Sequence, residues 1–243
     1  MIKWDRTRGR PEPIRLLNKI REEECGEPLV SLAEVSPTVR IIRETTIPYV
    51  RQTVAEMAEK AARSLPDGIL LAVTDAWRPF KRQQMIWDMM WRFGHEAFPH
   101  LDYKQMRRRI CRWVAPVDQK APPGHCTGAA IDVVLVDGAG ELIDVATPYS
   151  RFTAAPTFTL GLSPEAHRNR MLLHDSLVDA GFSNCRDEWW HYSYGDAGWA
   201  VRTGETSCRY GLIELDPSLY AAAQIEWEAA IATRENPFLT SKD

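Results

Sequence analysis

Gly124-His125-Cys126-Thr127-Gly128-Ala129-Ala130-Ile131-Asp132-Val133-Val134-Leu135-Val136 is the stretch on which the reading of this chain turns. Residues 129 to 136 are apolar with one exception, and a short run of that kind bounded by turn residues reads as a strand. Asp137-Gly138-Ala139-Gly140 then turns into Glu141-Leu142-Ile143-Asp144-Val145, which predicts a hairpin. The exception is Asp132. An ionised carboxylate among apolar neighbours is costly unless something positive faces it. The glycine-bracketed loop 124–128 can fold back along the strand and bring the His125 imidazole to that carboxylate. Two readings of the pair stay open: a His–Asp hydrogen bond that satisfies both groups, or half of a metal site.

The second half of such a site lies downstream. Glu188-Trp189-Trp190-His191-Tyr192-Ser193-Tyr194 is aromatic enough for a strand, and it carries a carboxylate and an imidazole three residues apart. In an ideal strand those two would point to opposite faces, so they converge only across a bulge or tight turn. The alternative is a half-buried strand with Glu188 exposed and His191 bonded to backbone. Taken together, His125, Asp132 and His191 supply two nitrogens and one oxygen, a three-donor set that leaves the fourth tetrahedral position of a zinc ion open to water. Zinc lowers the pKa of that water toward about 7, and Glu188 is placed to move its proton. Upstream, Ile69–Val73 reads as a strand whose end delivers Thr74-Asp75-Ala76-Trp77-Arg78-Pro79. Arg78, at the strand exit, is a permanently charged group suited to an oxyanion; its alternatives are a salt bridge with Asp75 or a helix end.

The rest of the chain supplies a frame. Val50, Val54, Met57, Ala58, Ala61 and Leu65 recur at helical spacing until Pro66-Asp67-Gly68 breaks the chain. A second helix begins near Lys81, and a third runs from Ser163-Pro164-Glu165 to Gly181, with a hydroxyl cap and an early proline. A last helix is expected from Pro217 to Arg234. Residues 1–47 show no period and are expected as an irregular N-terminal arm on one domain spanning 48–243. Residues 91–123 mix Trp, Arg, His and Pro without a clean period, and Arg107-Arg108-Arg109 within them reads as a solvated helix face.

Composition excludes several functions. Lys+Arg 30 against Asp+Glu 33 gives a net charge of −3, so no global basic field recruits nucleic acid or anionic lipid. No stretch approaches the length of a membrane span, and the start, MIKWDRTRGRPEPIRLL, lacks the apolar core of a signal peptide, so a cytoplasmic protein is expected. Five scattered cysteines fit reduced thiols, which leaves His and carboxylates to hold any metal.

His125-x-x-Gly128-x-Ala130-x-Asp132, followed by Glu188-Trp189-Trp190-His191 and preceded by Trp77-Arg78-Pro79, resembles the zinc D-alanyl-D-alanine dipeptidases, relatives of the D,D-carboxypeptidases and of the Hedgehog-type domain. The resemblance runs roughly from Thr46 to Ser193. It implies an α+β fold with a central antiparallel sheet flanked by helices, one zinc ion per chain on His125, Asp132 and His191, and a small dipeptide as substrate. It also implies Glu188 as general base and acid, and Arg78 as stabiliser of the tetrahedral intermediate. Two positions depart from the family. Pro123 stands where a serine usually helps to hold the substrate carboxylate, and Thr147-Pro148-Tyr149-Ser150-Arg151-Phe152 lacks the acid expected to hold a free ammonium. The other readings are a D,D- or L,D-carboxypeptidase or endopeptidase acting on cell-wall peptides, and a zinc-stabilised binding module without turnover. Loss of the glutamate or the arginine would mark the module, and both are present.

Overall fold

The apolar run after Gly128 becomes the long strand of the structure, a computed structural model that describes residues 3–5 and 7–240. In chain order the central sheet takes β1 (Arg40–Ile41), β2 (Ile69–Asp75), β3 (Ala130–Asp137), β4 (Ser183–Asn184) and β5 (His191–Ser193). In space the order is β1-β2-β3-β5-β4. All neighbours are antiparallel except β1 and β2, which are parallel, so the expected antiparallel sheet is a mixed one. The parallel pair needs a crossover, and helix α1 (Gln52–Arg63) provides it.

That edge strand comes from the segment expected to be irregular. Residues 7–47 also hold short helices at Ile14–Leu17 and Leu32–Val35, and Leu29–Ser31 pairs with Tyr49–Arg51. Elements of two to four residues are too short for a period to show. Met1, Ile2, Arg6 and residues 241–243 of the two expected segments lie outside the described residues.

Further helices are α2 (Phe80–Ala97), α3 (Tyr103–Ile110), α4 (Pro164–Ala180), α5 (Ala197–Thr203) and α6 (Ala221–Ala232). Helix α4 begins and ends as its sequence signals require: Ser163 Oγ accepts from Ala166 N at 3.0 Å, and Gly181 closes it at φ 115°. Val54, Ala58 and Ala61 of α1 and Leu173 and Leu177 of α4 share one core with Leu71, Val73, Ile131, Val133 and Leu135 of the sheet. The two-residue period then puts Asp132 on the opposite face from Ile131 and Val133. A second core joins Trp87, Met90 and Phe93 of α2, the helix expected to begin near Lys81, to Met106 and Ile110 of α3, which lies in the segment that showed no period. There Arg107 pairs with Asp118 at 2.6 Å while Arg108 and Arg109 face solvent.

Three expected elements are shorter. The hairpin after β3 is reduced to a single bridge between Val136 and Leu142. The last helix opens as a 3-10 turn, Pro217–Leu219, and is α-helical only over α6. The strand expected over 188–194 is confined to His191–Ser193 because a turn precedes it. No helix among the described residues is long and apolar enough to cross a membrane.

Gly128 joins the 3-10 turn Gly124–Thr127, which carries His125, to β3 with φ at 72°, and a Cβ there would run into Leu29. Gly128→Ala is expected to cost at least about 1–2 kcal/mol from the left-handed backbone alone. Gly138→Ala, where a Cβ meets nothing within 4 Å, is expected to stay within about 0.5 kcal/mol of the parent. Urea midpoints of the two variants check the contrast, and equal midpoints would remove the special role of the Gly128 turn.

Candidate metal centre

Asp132 receives a partner from each neighbouring segment. In the β3–β5 ladder His191 lies directly opposite it, and directly opposed residues put their side chains on one face. His191 Nδ1 is accordingly 3.0 Å from Asp132 Oδ1. Between β2 and β3 the register shifts from Val73↔Val133 to Asp75↔Asp132, leaving Thr74 as the extra residue of a bulge. Thr74 Oγ1 donates to the Asp132 carbonyl at 3.2 Å.

Past the bulge the strand exit runs beside the His125 turn. His125 Nδ1 donates to the Ala76 carbonyl at 2.7 Å, and Arg78 N donates to the His125 carbonyl at 3.1 Å. With Nδ1 occupied in that way, the lone pair of Nε2 is left for the site, 3.3 Å from Asp132 Oδ1. His125, Asp132 and His191 each place one donor atom within 4.8 Å of the others. Two imidazole nitrogens and a carboxylate oxygen at that spacing fit a zinc ion with a fourth position left over.

The charges are arranged for a cation. Burial would raise the Asp132 carboxyl, yet the His125 and His191 imidazoles hold it well below the usual carboxylate range. Burial would lower His191, yet its hydrogen bond to Asp132 and that residue's charge raise it to about 9. The site therefore concentrates negative potential between two imidazoles, where a divalent ion would replace a shared proton.

Glu188 reaches the same place by a turn rather than a strand. Its carbonyl accepts from His191 N at 3.2 Å, and its own N donates to the Cys185 carbonyl at 3.2 Å. That turn removes the conflict of faces a continuous strand would impose. Burial, with the Asp132 charge adding to it, pushes the Glu188 carboxyl up to about 7, although His191 and His125 act to lower it.

Arg78 makes the salt bridge with Asp75 that its sequence context allowed, and it also donates to the Gln83 side chain. Burial opposes its charge, but Asp75 keeps its pKa above the ordinary value, and its field reaches Asp132. So all five residues expected from sequence come to one region. Three other histidines do not join them: His95 and His100 are exposed, and His174 pairs with its neighbour Asp175 at 2.8 Å. Cys126 is 1% exposed, and burial pushes its thiol up to about 12, which keeps it protonated. Sequence reasoning missed Arg151, whose charge interacts with Asp132 and Glu188. Its only signal was a basic residue in a segment where an acid was expected.

The sequence pattern of the peptidase M15 family, described as D-ala-D-ala dipeptidase, matches residues 35–208. The chain belongs to that family of zinc metallopeptidases. A D-alanyl-D-alanine dipeptidase of Synechocystis sp. is 27% identical over 222 residues, covering 77% of this chain and 90% of the relative. One of Escherichia coli K12 is 26% identical over 148 residues, covering 60% of this chain and 66% of the relative. Among solved structures, a vancomycin-resistance D,D-pentapeptidase VanY variant in complex with Zn(II) aligns at 16% identity and TM-score 0.41, covering 78% of this chain and 96% of that one. VanYB in complex with D-alanine-D-alanine aligns at 16% identity and TM-score 0.43, covering 77% and 93%.

Asp132→Asn keeps the shape of the side chain and removes the charge that both imidazoles face. Zinc bound per chain after equilibrium dialysis is expected to fall from about one to well below it; retention of a full equivalent would mean that Asp132 is not a ligand.

Proposed function

We propose that this chain is a zinc-dependent dipeptidase that hydrolyses D-alanyl-D-alanine or a related small dipeptide. The observation that carries the reading is the convergence of His125, Asp132 and His191 within 4.8 Å, with the field of a half-buried Glu188 reaching all three and burial pushing its carboxyl up to about 7. Two relatives that bear the name D-alanyl-D-alanine dipeptidase support the substrate class.

His125, Asp132 and His191 would hold the ion. Zinc supplies Lewis acidity there, which polarises a carbonyl and acidifies water near neutral pH. Glu188, titrating close to neutrality, accepts a proton from the attacking water and returns it to the leaving amine. Trp189 and Trp190, which follow it in the chain, are both nearly buried. Arg78, oriented by Asp75 and Gln83, carries a fixed positive charge to the oxygen on which negative charge develops. The Asp75 bridge leaves part of the guanidinium fork free for that contact.

Two expected outcomes separate these roles. Glu188→Ala is expected to lower kcat for D-alanyl-D-alanine by about 10²- to 10⁴-fold, on the scale of losing a general base, with one zinc per chain retained. Zinc loss in that variant would reassign Glu188 as a ligand. Arg78→Lys keeps a charge and gives up the planar fork, while Arg78→Ala removes both. The alanine change is expected to lower kcat by about 10²- to 10³-fold, with the lysine variant intermediate. An unchanged kcat in both would leave Arg78 a purely structural partner of Asp75.

A further inference from the structure

The segment without an acid, residues 147–152, carries an arginine that the proposed reaction does not use. The Arg151 guanidinium lies 4.5 Å from the ring centre of Trp190 and 5.6 Å from that of Trp189. Trp190 is the residue immediately before His191, and Trp189 N donates to the Ala155 carbonyl at 2.8 Å. The arginine's loop is thus latched to the turn that carries Glu188. Arg151 is half-buried, and its Nε is enclosed with no hydrogen-bond partner among the described residues. The cation–π contact with the indole holds the guanidinium in place without occupying its N–H groups.

The surrounding charge does not balance. Arg151 feels the fields of Asp132 and Glu188, but Asp132 is already held by two imidazoles. Arg43 adds positive charge next to Arg151, and Arg43 also faces Arg234; both of these are exposed. Arg78 is matched by Asp75. A divalent ion with Asp132 leaves one net positive charge, which an ionised Glu188 offsets, and neither Arg151 nor Arg43 forms an ion pair among the described residues. An anion arriving with the substrate would complete the site.

We propose that Arg151, backed by Arg43 and Arg234, forms a subsite beside the metal centre that binds a carboxylate of the peptide substrate through the free edge of its guanidinium. The proposal rests on the dipeptidase reading for the ion and for the peptide class. Bidentate capture of a carboxylate is what an arginine fork does best, and a guanidinium held over an indole loses less freedom in doing it. The carboxylate has two sources, the peptide's terminal carboxylate or an acidic group on its amino side.

The test compares D-alanyl-D-alanine, its C-terminal amide, and N-succinyl-D-alanyl-D-alanine. KM and kcat are measured on the zinc-loaded chain, and Kd on zinc-loaded Glu188→Ala by tryptophan fluorescence, each with and without Arg151→Gln. The glutamine change is expected to raise KM and Kd for carboxylate-bearing ligands by tenfold or more, with kcat within about twofold, and Arg151→Lys to recover part of the loss. If the terminal carboxylate is the occupant, the amide is indifferent to Arg151. If the amino-side group is, the succinyl compound alone loses its advantage. Arg43→Gln, an exposed change with no packing to disturb, is expected to raise the same constants two- to fivefold. Constants that stay within twofold for all ligands, or that shift equally for acid and amide, overturn the subsite. If no peptide is hydrolysed, the dipeptidase reading falls, and the Kd comparison still decides the subsite.

Discussion

A carboxylate placed in the middle of an apolar strand constrains everything around it. Asp132 stands between Ile131 and Val133, both wholly buried, on the longest strand of the sheet. Its charge is tolerable only with positive or hydrogen-donating groups on the same face. The fold supplies one imidazole from the neighbouring strand and one from the turn that feeds Asp132's own strand. Removing the carboxylate would leave two imidazoles facing each other with ring centres 5.0 Å apart, an arrangement with no purpose of its own. The donor set is therefore coupled to the strand order, since His191 meets Asp132 only because β5 pairs with β3 in this register.

Three local backbone devices then bring chemistry to that carboxylate. The Thr74 bulge turns the exit of β2 so that Ala76 and Arg78 lie alongside the His125 turn, joined by reciprocal hydrogen bonds. The 3-10 turn ending at Gly128 keeps His125 buried and aims its Nε2 at Asp132. The turn before His191 sets Glu188 beside the donors instead of across the sheet from them. Each device is anchored to a sheet strand, which gives positional accuracy that free loops lack. Burial of the Glu188 carboxyl serves the same end by a different route, since it tunes a pKa rather than a position.

What could be read from the sequence follows from the range of the forces involved. The α1, α4 and β3 segments were legible because apolar spacing, a serine cap and a closing glycine are local signals. Asp132 was legible for the opposite reason: it violates its local pattern, and violations of that kind gather at functional sites. The parallel edge strand Arg40–Ile41 was not, because two residues carry no period and their pairing with Ala72 and Val73 is a tertiary event. Spacing alone shows that a turn is needed between Glu188 and His191, but the form of that turn depends on Trp189 bonding to Ala155 across the chain. Helix α3, within residues 91–123, escaped because its apolar face packs into a separate small core with α2 and the C-terminal segment.

Catalytic and selective parts of the site are built from different material. The donors, Glu188 and Arg78 are fixed by strands β2, β3 and β5 and by turns bonded to them. The two positions that depart from the family pattern sit on the connections: Pro123 at the entry to the His125 turn, and Arg151 in the loop that precedes α4. Loops change sequence at little cost to a sheet that stays packed, whereas a slip of one residue in β3 would carry Asp132 to the other face. Proline at 123 offers neither a hydroxyl nor an N–H. An arginine at 151, over the Trp190 ring, adds positive charge whose field reaches Asp132 and Glu188. Loss of a donor at one position and gain of a guanidinium at the other leave His125, Asp132 and His191 untouched. The sheet-borne donor set and the loops around it can therefore diverge independently in this fold.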